Sequence, residues 1–80
     1  MTQLDRINSL ISSLPLQDQQ LARKFCQGRK FEELWDLVGS SVERVRKHPE
    51  RYPDVDFADM TILKSEVGYY MEQLGYEEEY

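Results

Sequence analysis

A single cysteine, Cys26, excludes an internal disulfide and a cysteine-clustered zinc site. The single histidine, His48, sits in a basic run before Pro49, where a solvated helix-end side chain is expected rather than a base or a ligand. Glycine occurs four times and never as a phosphate-cradling loop, and the familiar metal and hydrolase signatures are missing. No apolar run approaches the roughly 18 residues that cross a bilayer. Strand-like alternation, internal repeats and low-complexity tracts are also missing. The opening residues Met1-Thr-Gln-Leu-Asp-Arg6 lack the basic head and apolar core of a signal peptide. A soluble protein of a reducing, cytoplasmic compartment is therefore expected.

Eighty residues make one small domain, with room for one core and not for a scaffold plus a deep active-site cleft. Catalysis needs a nucleophile beside a base, or two carboxylates of separated acidity. Neither constellation is visible, so the expectation is no enzyme, no cofactor and no metal. The segment Asp54-Val-Asp-Phe-Ala-Asp59 clusters three carboxylates. It lacks the central glycine and closing glutamate of a calcium loop, and helix capping by Asp56 with Asp59 accounts for two of them.

What the chain does have is helical periodicity. Leu4, Ile7, Ile11 and Leu14 alternate at three and four, predicting a helix over Thr2–Leu14 that starts in a Thr2/Asp5 capping box and ends before Pro15. A second helix is predicted from Pro15 to about Gln27, with Leu16, Leu21, Ala22, Phe25 and Cys26 inward and Gly28 as the left-handed terminator. A third runs from near Lys30 to Pro49 on Phe31, Leu34, Trp35, Val38, Val42 and Val45, with Gly39-Ser40-Ser41 marking a bend or a close helix approach. A fourth is capped by Asp56, carries Met60, Leu63, Val67, Tyr70 and Leu74, and is closed by Gly75. The fold expected is an all-α four-helix bundle, three long helices and one short, built around a central αα-hairpin. Residues 1–75 form its single domain, and 76–80 form an acidic, tyrosine-containing tail.

Phe31, Trp35 and Val38 also have the i, i+4, i+7 spacing of helices that dock in grooves, and Phe31-x-x-Leu34-Trp35 resembles acidic activation-domain peptides. The stripe continues through Val42 and Val45, and a domain this small needs its best anchors inside, so the core is the expected place for it. The stretch Leu21–Val38 resembles one helix–turn–helix unit of a tetratricopeptide-type hairpin through Ala22, Gly28, Phe31 and Leu34. That resemblance covers under a quarter of the chain, has no second copy, and implies an αα-hairpin.

Net charge is −5 and unevenly placed: residues 1–51 carry nine cations against seven acids, residues 52–80 one cation against eight. The acidic balance argues against free nucleic acid or an anionic membrane as partner. Four of five tyrosines fall within residues 69–80, and tyrosine favours protein interfaces. The function expected is a small helical protein–protein interaction or assembly module, for example a structural accessory protein of a larger complex such as a virion. Tyr69, Tyr76, Glu77, Glu78, Glu79 and Tyr80 would contact a basic partner surface or another copy. The alternative is a nucleic-acid-associated regulator using the basic patch Arg44, Arg46, Lys47 and Arg51.

Overall fold

The computed structural model describes residues 2–74. They form four α-helices and no strand: α1 (Gln3–Leu10), α2 (Leu16–Gln27), α3 (Phe31–Lys47) and α4 (Phe57–Leu74). The all-α bundle expected from periodicity is the fold observed. The α2–α3 hairpin lies within it, α3 and α4 make the most extensive pairing, and α1 also packs against α4.

The start of α1 is fixed by local chemistry. Thr2 Oγ1 accepts from the Asp5 backbone N–H at 3.1 Å, and the Asp5 carboxylate accepts from the Thr2 N–H at 3.3 Å. A cap of this kind is worth about 1 kcal/mol. The helix does not stay α-helical to Leu14; it tightens into a 3-10 turn over Ile11–Ser13. Leu14 precedes Pro15 and is pushed to an extended conformation, ψ 158°, so the last turn cannot complete. The turn still keeps Ile7, Ile11 and Leu14 on one inward line.

The inward face of α2 differs from expectation. Leu16 and Leu21 point to solvent, Leu16 with 84% of its surface exposed, and Asp18, Ala22 and Cys26 take the buried line with Phe25 beside it. Spacing of four through 18, 22 and 26 makes that line continuous. The helix end is also shifted. Gly28 has φ −83°, and its N–H still bonds the Lys24 carbonyl at 3.0 Å, so it completes the last turn. The left-handed residue is Arg29, φ 61°. Lys30 N–H bonds the Phe25 carbonyl at 2.9 Å and Arg29 N–H bonds the Cys26 carbonyl at 3.2 Å, the paired bonds of a Schellman turn.

In α3, Phe31, Leu34, Val38, Val42 and Val45 are buried and Trp35 is half-buried. Over residues 30–38 the apolar side chains line the core, while Lys30, Glu32, Glu33 and Asp36 stay exposed. Gly39-Ser40-Ser41 lies inside one continuous helix, and a Cβ on Gly39 would only touch the end of Lys64 at 3.7 Å. Ser41 belongs to the core, where Asp18 satisfies its hydroxyl. Asp56 caps α4 by accepting from the Asp59 N–H at 3.2 Å. Met60, Leu63 and Val67 then fill the centre, and Tyr70 meets Phe31 edge-on at 5.0 Å between ring centroids. Each fully buried aliphatic or aromatic side chain contributes about 1.5–3 kcal/mol. Gly75 and the tail 76–80 lie outside the described residues.

Candidate interaction surface

Charge is sparse along α4: four of its eighteen residues are ionisable acids or bases (Asp59, Lys64, Glu66, Glu72), against seven of seventeen in α3. Met60, Leu63 and Val67 account for its inner side. Ala58, Ile62, Ser65 and Tyr69 recur at i, i+4, i+7 and i+11 and form a second line along the outer side, all four exposed. Ile62 and Tyr69 leave 47% and 57% of their surfaces open. From Ala58 to Tyr69 the outer line carries no charge, which is unusual for solvent, because a surface helix normally sets charge opposite its core stripe.

The two borders of this line differ. On the side toward α3, the Lys64 ammonium lies 5.0 Å from the Trp35 ring centroid, a cation–π contact. On the side toward α1, Glu66 accepts from Arg6 and Gln3, both at 3.4 Å, and Asp59 lies one helical repeat earlier. Of the tyrosine-rich group singled out in the sequence, Tyr69 lies on the outer line. Tyr76, Glu77, Glu78, Glu79 and Tyr80 lie outside the described residues.

The basic group at the end of α3 does not form one surface. Arg44 turns inward, its guanidinium 2.9 Å from the Asp18 carboxylate, and Ser41 Oγ donates to the same oxygen at 2.6 Å. The hydrogen bond to Asp18 holds the Arg44 guanidinium above its ordinary pKa, against the opposing pull of burial. Arg46 pairs with Glu43 at 2.7 Å in an exposed contact, and this hydrogen bond pulls the Glu43 carboxyl below its ordinary range. Lys47 is exposed, and Arg51 sits on the loop between α3 and α4. His48 is exposed with Nδ1 3.7 Å from Glu50, as a helix-end side chain should be.

A cleft of about 550 Å3 lies between the α1–α2 corner and the loop before α4. Leu14, Pro15, Leu16, Tyr52 and Val55 supply its apolar wall, and Asp54, Asp56 and Asp59 its acidic rim. Among the described residues no three His, Cys, Asp or Glu side chains converge closely enough to hold a metal ion. Cys26 packs as a small hydrophobe, and burial pushes its thiol pKa up, with Arg29 partly opposing.

Reading the sequence alone misses the outer line of α4. Its signal is present as a second three-four alternation, 58-62-65-69, interleaved with the inward 60-63-67-70, of which 60, 63 and 67 are buried and Tyr70 is half-buried. No helix among the described residues is long and apolar enough to cross a membrane. No protein-family model, no curated protein and no solved structure matches this chain.

Proposed function

We propose that this protein is a non-enzymatic helical module for protein–protein interaction or assembly, working through the outer face of α4. The observation that carries this reading is the exposed, uncharged line Ala58-Ile62-Ser65-Tyr69 on a helix whose other side is already core. Leaving Ile62 and Tyr69 in water wastes apolar area that a partner would remove. In sequence the same spacing runs on to Glu72, and the acidic, tyrosine-containing residues Tyr76, Glu77, Glu78, Glu79 and Tyr80 follow within eight positions. A larger complex with a basic contact surface suits this pattern, and a cytoplasmic setting suits the buried thiol of Cys26. The nucleic-acid reading loses support, because Arg44 is held by Asp18 and Arg46 by Glu43.

A photo-reactive benzoylphenylalanine placed at Ile62, at Tyr69 and, as control, at exposed Gln20 on α2 tests the proposal in the native host cell. Discrete protein adducts at 62 and 69, and not at 20, are expected. Adducts that are equal at all three positions, or found only at 20, would refute it.

A further inference from the structure

We infer that the outer face of α4 receives an amphipathic helix whose apolar stripe is bordered by lysine or arginine, and not a second copy of this chain; this rests on the interaction reading above. Along the line, small Ala58 and Ser65 alternate with large Ile62 and Tyr69, giving holes and knobs over about 16 Å of helix. A second helix laid along it can set its own apolar side chains over Ala58 and Ser65, the spacing used by groove-docking helices.

Charge decides which helix. Asp59 and Glu66 share one border of the line, and Glu72 stands on the line itself one turn beyond Tyr69. The helix's only cation, Lys64, is on the opposite border and drawn over Trp35. Arg6 offsets Glu66 only through a long, exposed contact of 3.4 Å. Against Asp59, Glu66 and Glu72 stands Arg6 alone, so the border is acidic on balance. A second copy brings the same charges. Antiparallel pairing would set Asp59 beside Glu66 of the other copy, and parallel pairing would set Glu72 against Glu72. A lysine- or arginine-bordered helix meets every one of these acids with opposite charge.

The test is fluorescence anisotropy with two labelled probe peptides of about 18 residues, leucine on one face and bordered by lysine in one and glutamate in the other. Light scattering of the protein alone accompanies it. Saturable one-to-one binding of the lysine probe is expected, about tenfold tighter than the glutamate probe. Ile62→Asp and Tyr69→Glu should each weaken it about tenfold although both add negative charge. Equal binding of both probes would overturn the charge selection and leave the interaction reading standing. Unchanged binding to Ile62→Asp and Tyr69→Glu would show diffuse attraction and overturn the inference. A concentration-dependent dimer broken by Ile62→Asp would identify a second copy as the occupant and overturn it likewise. A monomer that binds neither probe would overturn the inference and remove the support for α4 as a docking face.

Discussion

The six-membered ring of Trp35 occupies the space where Gly68 would carry a Cβ, which would stand 2.7 Å from Cζ3 and 3.3 Å from Cη2. At this contact between α3 and α4 there is no room for a side chain, so the residue of α4 is required to be glycine. A glycine inside a helix costs about 1 kcal/mol relative to alanine, so the packing of the indole must outweigh that. The Lys64 ammonium, one turn earlier on α4, also lies over the ring at 5.0 Å from its centroid. Trp35 therefore ties two helices of one molecule together and is not available as a docking anchor.

Gly68→Ala should destabilise the fold by about 1–2 kcal/mol, because overpacking costs about 1–3 and improved helix propensity returns up to about 1. Urea unfolding with tryptophan fluorescence measures it. Adding Trp35→Leu should recover part of the loss, a coupling that a double-mutant cycle reads directly. A neutral or stabilising Gly68→Ala would show that the indole does not hold its place.

Arg29 adopts φ 61°, a conformation in which an ordinary side chain crowds its own backbone. Arg29→Gly should raise stability by about 0.5–1 kcal/mol, relief of strain outweighing the extra freedom of the unfolded chain. Thermal unfolding would show a higher Tm. A lower Tm would mean that Arg29 contributes through contacts of its guanidinium.

Asp18 is buried and accepts from Ser41 and Arg44. Asp18→Ala leaves a buried hydroxyl and an inward guanidinium without their acceptor, and should cost about 2–3 kcal/mol. Ser41→Ala should cost less, since Arg44 keeps its partner. Equal effects from both variants would contradict the placing of Arg44 on Asp18.

Cys26 sets a pH dependence. Its folded pKa is raised above the ordinary value of 9.0 by burial, so folding favours the neutral thiol. The stabilising contribution is full below the unfolded pKa and is lost as pH rises through the folded one. Stability of the native chain should therefore fall more steeply above about pH 9 than that of Cys26→Ala. Alkylation by iodoacetamide at neutral pH should be far slower than for an exposed thiol. Rapid alkylation of the folded chain would contradict the burial.

The parts of the fold legible in the sequence are those decided locally. The Thr2/Asp5 box, the Asp56 cap and the Phe31–Val45 stripe each depend on neighbours within one or two turns. Asp18 is the opposite case: its partners Ser41 and Arg44 lie 23 and 26 residues away, so nothing near it announces burial. Leu16 and Leu21 read as core because they are leucines, yet the inward line of α2 runs through 18, 22 and 26. Gly28 attracted the left-handed role by residue type, whereas hydrogen bonding places the reversal at Arg29. In α4 two three-four alternations compete, and only the packing of α1 and α3 against one side leaves the other as surface.

Docking on α4 is tested most directly by titrating the lysine-bordered probe into isotope-labelled protein and following backbone amide shifts. Saturating shifts that centre on Ala58, Ile62, Ser65 and Tyr69 are expected, with α2 unmoved. Ile62→Asp should move the titration to about tenfold higher probe concentration while changing stability by no more than about 0.5 kcal/mol, as for other exposed positions. Shifts centred instead on Leu16, Tyr52 and Val55 would place binding in the cleft and contradict docking on α4, and so would no shifts at all.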